Sequence, residues 1–243
     1  MRLVLLHARF GTLELLRLPA YLVPTLGFPT LFFAIFVAPH VDRTEAPLAM
    51  ALFAGFAVLG VAFFQFGVGI ATERQSPWER YLRTLPLAPG TRFAGRILSA
   101  LAFGSASAVV LIGTALAITS VALDSGRWLQ LAAALLLGAI PFALLGIALG
   151  YLTSPRAALP IANVLYLGLS YAGGLWTTPE ELPRRIAAIS TYLPTRALAD
   201  ALLAAVTPQP TSVRPWLILL GYTAFFAAAA LWGYRRDEGQ RYS

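Results

Sequence analysis

The sequence predicts an all-α, polytopic membrane protein with six transmembrane helices, and two observations lead to this prediction. Only 12% of the 243 residues are charged whereas 58% are hydrophobic, and the mean hydropathy is +0.71, which is too apolar for a soluble domain. A helix needs about 20 mostly apolar residues to cross a bilayer, where no water can bind its backbone. Six such runs occur, at Ala20–Pro39, Leu48–Thr72, Phe93–Leu123, Leu129–Leu152, Ala157–Trp176 and Trp216–Tyr234.

The distribution of arginine predicts the orientation of this six-span bundle at residues 20–234. With a cytoplasmic N-terminus, twelve of the eighteen arginines lie on the inside, and the positive-inside rule then favours both termini in the cytoplasm. The first run lacks a small-residue cleavage signature, so we expect a retained helix and no signal peptide. The run Phe93–Leu123 is longer than one crossing, so we expect that helix to be tilted or to extend past the membrane.

The side-chain inventory argues against several kinds of catalytic site. No cysteine is present, which excludes thiolate metal sites and cysteine nucleophiles, and nothing in sequence pairs His7 with His40 in a metal site. All eighteen basic residues are arginine, so the chain has no lysine for a Walker A phosphate loop. No carboxylate falls in the middle of a predicted span, which argues against a proton relay. We therefore expect no catalytic residue, no metal and no cofactor bound by this chain.

Residues 1–18 are predicted to form a helix that lies along the membrane surface. On a helical wheel, Arg2, Arg9 and Arg17 fall in one half, while Val4 and Leu5 fall in the other half. An amphipathic helix of this kind binds at the headgroup layer. A disordered tail is the alternative.

The polar segment at residues 73–92 separates the second and third runs and is predicted to contain a short cytoplasmic helix. Ser76 and Glu79 form a capping box, Pro77 suits the first helical turn, and Pro86 ends the helix. Its apolar stripe follows the i, i+3, i+4, i+7 spacing and comprises Trp78, Tyr81, Leu82 and Leu85. Such a stripe either lies among lipid headgroups or docks into a groove of another protein.

The segment at residues 177–213, before the last run, is predicted to form re-entrant or interfacial helices on the outer side. Pro183 and Pro194 divide it into two pieces, Arg184–Tyr192 and Thr195–Val206, which are too short to span but can bury an apolar face. Irregular backbone at membrane depth needs protein or a water-filled cavity around it. We therefore expect these pieces to pack against the bundle.

Several residues inside the predicted spans are candidates for a substrate pathway, namely Gln65, Asn163, Tyr166, Ser170 and Tyr171. Asn and Gln at membrane depth more commonly form interhelical hydrogen bonds, worth about 1 kcal/mol, so both roles stay open. Gly146 and Gly150 match the G-x-x-x-G pattern of close helix packing. Gly173 and Gly174 permit a tight turn or a close approach at the end of the fifth run.

Two segments give the chain a resemblance to a known family. They are 72-TERQSPWERYLRTLPLAP-89 and 173-GGLWTTPEELPRRIAAISTYLPTRALADAL-202, and both are similar to segments of ABC-2 type transporter permease (transmembrane) subunits. The resemblance implies a single transmembrane domain over residues 1–243, with the interfacial helix, six spans, a cytoplasmic coupling helix and extracytoplasmic re-entrant helices. It also implies an exporter in the bacterial inner membrane.

The resemblance further implies a cytoplasmic ABC ATPase as partner subunit, with ATP and Mg²⁺ bound there, and a homodimer or heterodimer of permeases. The residues expected at the ATPase interface are Glu73, Arg74, Ser76, Pro77, Trp78, Glu79, Tyr81, Leu82 and Leu85. The weakly charged walls of the spans favour an amphipathic or hydrophobic substrate, such as a drug, a lipid or a peptide. Membrane lipid is an expected partner and nucleic acid is not, because the arginines flank the spans.

Two other functions are considered. A lipid-modifying membrane enzyme would need polar groups near one interface, and the nearest candidates are Glu180, Glu181, Arg184 and Arg185. The spacing of these residues fits a salt-bridged helix start equally well. A membrane scaffold or sensor without transport activity is the second alternative.

Overall fold

A computed structural model describes residues 23–76, 89–176, 182–208 and 212–239, and the regular structure in these ranges is helical. The first helix, α1, covers residues 23–40 and contains π-helical turns at Val23–Gly27 and Phe33–Val37. Pro24 and Pro29 lack the N–H that regular α-helical bonding needs, which accounts for part of this irregularity. The other helices are α2 (Ala46–Glu73), α3 (Pro89–Ile118), α4 (Ser125–Leu152), α5 (Pro155–Ala172), α6 (Arg184–Ser190), α7 (Pro194–Val206) and α8 (Arg214–Gly239).

Four helices in the described part of the chain are long and apolar enough to cross a membrane. They lie in α2, α3, α4 and α8, at four of the six predicted positions. The chain is therefore an all-helical, multi-pass membrane protein. The apolar part of α1, Thr25–His40, is shorter than these four. Helix α5 has the length of a span but is less apolar, because it includes Arg156, Pro160 and Asn163.

The boundaries of α3 differ from the predicted run Phe93–Leu123. The helix begins at Pro89 and ends at Ile118, so its extra length lies at the N-terminal end. A proline in the first turn explains the early start, because the missing N–H has no intrahelical partner there. The residues between α3 and α4 form the connection instead, and Asp124 caps α4 by accepting a hydrogen bond from the backbone N–H of Arg127 at 3.0 Å.

Helix α2 lies in the middle of the bundle, and 83% of its most apolar window is buried. Helix α4 approaches it closely through the predicted glycine motif. A Cβ atom at Gly146 would lie 2.2 Å from the carbonyl oxygen of Ala62, and one at Gly150 would lie 2.8 Å from that of Phe66. Both carbonyls belong to the π-helical part of α2, Ala62–Val68. The G-x-x-x-G pattern therefore brings two backbones into contact.

Helix α7 is a short helix whose apolar residues are almost all buried in the bundle. The side chain of Leu198 occupies the space above Gly138 of α4, and Leu202 occupies the space above Gly55 of α2. At its C-terminal end, Arg127 Nη1 donates a hydrogen bond to the carbonyl of Val206 at 3.1 Å. Both α6 and α7 are too short to cross the membrane, as the prolines predict.

The predicted glycine pair forms the turn that follows α5. Gly174 has a φ of 76°, a conformation that other residues rarely adopt. Gly173 lies so close to Thr195 of α7 that a Cβ atom would be 2.2 Å from the Thr195 hydroxyl oxygen. The pair thus provides both the turn and the close approach.

Other predicted features lie outside the described residues. These are the interfacial helix at residues 1–18, most of the 73–92 segment, and parts of the 177–213 segment. Between α1 and α2, the exposed Asp42 carboxylate accepts hydrogen bonds from the Thr44 hydroxyl and from the backbone N–H groups of Glu45 and Thr44. These bonds stabilise the charged form and lower the pKa of Asp42.

We expect Gly146→Ala to destabilise the protein by about 1–3 kcal/mol, because the new methyl group would overlap a backbone carbonyl that cannot rotate away. Gly113→Ala is the matched control. A Cβ atom at Gly113 meets nothing within 4 Å, so this helix-interior change should stabilise by about 0.5–1 kcal/mol. Thermal unfolding of the detergent-purified chain measures both effects. Equal melting temperatures for the two variants would contradict the contact between α2 and α4.

Candidate functional site

The end of α2 is fastened to two other helices by the side chain of Arg74. Its Nη1 atom donates to the Asp237 carboxylate at 2.9 Å and to the carbonyl of Tyr151 at 3.0 Å, and its Nη2 atom donates to the carbonyl of Thr153 at 2.5 Å. Tyr151 and Thr153 lie at the end of α4, and Asp237 lies in the last turn of α8. One guanidinium group thus connects the ends of α2, α4 and α8. We call this the Arg74 cluster.

The Arg74 cluster is largely shielded from solvent. The side chains of Arg74 and Asp237 are only 13% and 8% exposed. Charge-assisted hydrogen bonds are stronger than neutral ones, and low exposure limits their screening by salt. The cluster therefore fixes the point at which the chain leaves α2 and enters the 73–92 segment.

The predicted ATPase interface begins at this point. Glu73 is exposed on the last turn of α2, and the backbone N–H of Ser76 donates to the carbonyl of Glu73 at 2.8 Å. Arg74 contacts the chain itself through its guanidinium group. The remaining predicted interface residues lie outside the described residues: Pro77, Trp78, Glu79, Tyr81, Leu82 and Leu85.

The predicted pathway residues are not gathered around one cavity. Gln65 Nε2 lies 3.4 Å from the hydroxyl of the buried Ser99, so it joins α2 to α3 as an interhelical contact. Asn163 Nδ2 donates to the carbonyl of Leu159 in its own helix at 3.1 Å. Gln65 therefore shows the packing role that is common for amides in membranes.

Tyr166 is enclosed by aromatic rings at the contact between α5 and α2. It stacks on Phe56 with ring centroids 4.5 Å apart and planes inclined by 3°, and its hydroxyl donates to the Phe56 carbonyl at 3.2 Å. Trp176 meets the same Phe56 ring edge-on at 5.4 Å, and Tyr171 lies 6.2 Å from Trp176. Only 3% of Tyr166 is exposed. The stack fastens α5 to the centre of the bundle.

Ser170 is one of four buried polar groups near the outer turn that have no hydrogen-bond partner among the described residues. The others are the hydroxyls of Ser190 and Thr195 and the indole N–H of Trp176. Gly173 lies one turn from Ser170 and against Thr195. An unsatisfied buried hydroxyl carries a desolvation cost of about 1–3 kcal/mol.

An apolar groove between α2, α3 and α4 was not anticipated from the sequence. Its volume is about 180 Å³, and its walls include Val61, Phe66, Gly104, Ala108, Trp128 and Leu135. None of the five predicted pathway residues lines this groove. A signal for it exists in α3, where Leu101, Gly104, Ser105 and Ala108 place mostly small side chains on one helical face.

The described residues contain no group of three His, Cys, Asp or Glu side chains that could hold a metal ion. Arg184 and Arg185, which the enzyme alternative would use, are exposed at the start of α6, and Glu180 and Glu181 lie outside the described residues.

Comparison with known proteins gives two matches. Residues 2–207 match the ABC-2 type transporter family. The chain is also similar to a protein of Bacillus subtilis (strain 168) named "Putative transport permease YvfS", with 26% identity over 183 residues, which cover 75% of each chain. The family match covers most of the 243 residues and includes the Arg74 end of α2, α4 and the short helices α6 and α7. The chain therefore belongs to the ABC-2 type transporter family and is a membrane permease.

Proposed function

We propose that this chain is the permease subunit of an ATP-driven exporter with six transmembrane helices, in which a separate cytoplasmic ABC ATPase binds the 73–92 segment. ATP and Mg²⁺ bind to that ATPase. Two permease chains assemble, as a homodimer or as a heterodimer with a related permease. Closure of the ATPase subunits pushes the coupling helix, and the push moves the helices to which it is attached.

The Arg74 cluster is the observation that carries this proposal. A force applied to residues 77–88 reaches the bundle first through the end of α2, because the chain joins α2 there. The guanidinium group connects that end to α4 and α8 through three short hydrogen bonds. A push on the segment is therefore shared by three helices at once.

The distribution of charge supports a cytoplasmic location for the Arg74 end. Arg74, Arg156, Arg235 and Arg236 lie at or near this end of α2, α5 and α8. Asp42, Glu45 and Asp124 lie at the opposite end. The positive-inside rule assigns the arginine-rich end to the cytoplasm, which puts α6 and α7 on the outer side of the inner membrane.

The burial of α7 supports its assignment as a re-entrant helix. Its apolar side chains pack against α2 and α4, so protein surrounds it where a lipid-exposed irregular segment would not be tolerated. In this arrangement α7 closes the outer end of the bundle.

The apolar groove supports a hydrophobic or amphipathic substrate. Its walls carry almost no polar atoms, so a drug, a lipid or a hydrophobic peptide would lose little hydration by entering it. We find no comparable set of polar groups for the lipid-modifying enzyme within the described residues, since Arg184 and Arg185 are both exposed. A scaffold without transport would not require stimulation of the ATPase, which the next experiments measure.

The double variant Trp78→Ala/Tyr81→Ala is expected to lose the ATPase subunit in a pull-down from co-expressing cells, because it removes two aromatic anchors from the predicted docking face. The partner is the ATPase encoded beside the permease. The matched control, Tyr192→Ala/Trp232→Ala, removes two exposed aromatic side chains from other parts of the chain and should retain it. Retention of the ATPase by the first variant would argue against docking through this face.

Arg74→Ala is expected to lower permease-dependent stimulation of the ATPase while the two subunits still co-purify, because the guanidinium group contacts the chain itself. Removing one partner of a buried pair costs about 3 kcal/mol of stability. The double variant Arg74→Ala/Asp237→Ala leaves no unpaired charge, and it should be more stable than the sum of the single changes by about 1–3 kcal/mol. Additive losses in unfolding experiments, or wild-type stimulation by Arg74→Ala, would refute the role of the cluster.

A further inference from the structure

A stripe of residues along α8 forms one wall of a shallow pocket at the end of the molecule opposite Arg74. The stripe repeats with helical spacing and comprises Arg214, Leu217, Ile218, Gly221, Tyr222 and Phe225. Thr191 and Tyr192, which follow α6, form the other wall, and the pocket volume is about 500 Å³. The Tyr222 hydroxyl donates to the Tyr192 carbonyl at 2.7 Å and holds the two walls together.

The pocket changes from charged to apolar along the axis of α8. Arg214 is the first residue of the helix, whereas Leu217 and Phe225 are 62% and 66% exposed and offer only apolar surface. Arg214 and Phe225 are separated by about 17 Å along the axis at 1.5 Å per residue. Since the hydrocarbon core is about 30 Å thick, a pocket that starts at the interface reaches about the middle of the bilayer.

Arg214 brings a positive charge that is not neutralised within the described part of the chain. The ion pairs found there are formed by Arg74, Arg127 and Arg196. The guanidinium of Arg214 is exposed at the mouth of the pocket, and the N-terminal end of α8 adds a partial positive charge. An anionic group is the complementary ligand.

Gly221 leaves room for a chain of methylene groups. A Cβ atom at this position would meet nothing within 4 Å, so the pocket is open where the stripe crosses the middle of its length. Leucine and phenylalanine flank this opening on the same face. A free phosphate ion would use only the arginine end and would leave the apolar length uncovered.

We propose that this pocket binds an anionic phospholipid, with the phosphate at Arg214 and one acyl chain along Leu217, Gly221 and Phe225. The ligand matches the pocket in its sequence of charged and apolar parts and in its length along the membrane normal. The site does not depend on the ATPase partner, so it stands whether or not the coupling proposal is correct. It assigns to α6 and α8 a role in holding a lipid at the short-helix end of the bundle.

The test is native mass spectrometry of the full chain, purified in detergent and titrated with palmitoyl-oleoyl phosphatidylglycerol or with the matching phosphatidylcholine. The wild type should retain phosphatidylglycerol preferentially. Arg214→Gln should lower retention of phosphatidylglycerol about fivefold, to the level of phosphatidylcholine, because it removes one cationic contact. Gly221→Leu should lower retention of both lipids, because its side chain fills the acyl position.

Two matched controls should behave like the wild type. Arg184→Gln removes another exposed arginine at the same end, and Gly168→Leu adds a side chain at an exposed glycine of α5 where a Cβ atom also meets nothing within 4 Å. Excess inorganic phosphate should not displace the lipid.

Three results would overturn the proposal. An equal loss with Arg184→Gln would show a diffuse charge effect, and displacement by inorganic phosphate would show a simple anion site. Loss of a dimer by Gly221→Leu, with lipid retention unchanged, would show that a second copy of the chain covers the stripe.

Discussion

The close contact between α2 and α4 is the constraint on which the other helices depend. Backbone meets backbone where Gly146 and Gly150 face the π-helical turns of α2. Such proximity adds dispersion contacts where the hydrophobic effect gives helices no reason to associate. Because α2 is enclosed on most of its surface, α3, α5 and α7 take their positions from it. A change in the α2–α4 contact would be felt in every one of these helices.

Helix α2 is fastened in different ways at its two ends. At one end, the Arg74 cluster uses a charged group to bind two helix termini whose carbonyls have no further turn to bond. Toward the other end, Phe56 stacks on Tyr166 and Leu202 of α7 fits over Gly55. The charged contacts are directional and break over short distances, whereas the aromatic and aliphatic contacts tolerate sliding. Motion that enters at Arg74 therefore reaches the opposite end through packing.

The sequence predicted the features that depend on local pattern. Apolar runs located the helices, Pro183 and Pro194 separated α6 from α7, and the glycine motif of α4 identified a packing face. The Arg74–Asp237 pair could not be predicted in this way, because its partners are 163 residues apart and neither stands in a periodic pattern. Arg74 was assigned to a partner interface for that reason. The end of α3 was also missed, since the apolar run continues beyond Ile118 although the helix does not.

The pathway residues illustrate why polar side chains in membrane helices are weak guides to a transport route. A buried amide or phenol must find a hydrogen-bond partner, and the nearest partners are the carbonyls and hydroxyls of neighbouring helices. Gln65 and Tyr166 did find such partners, and both now hold helices together. The groove between α2, α3 and α4 has the opposite character, because small and aliphatic side chains leave space there without forming specific contacts. A route for a hydrophobic substrate is therefore better sought in missing side-chain volume than in polar residues.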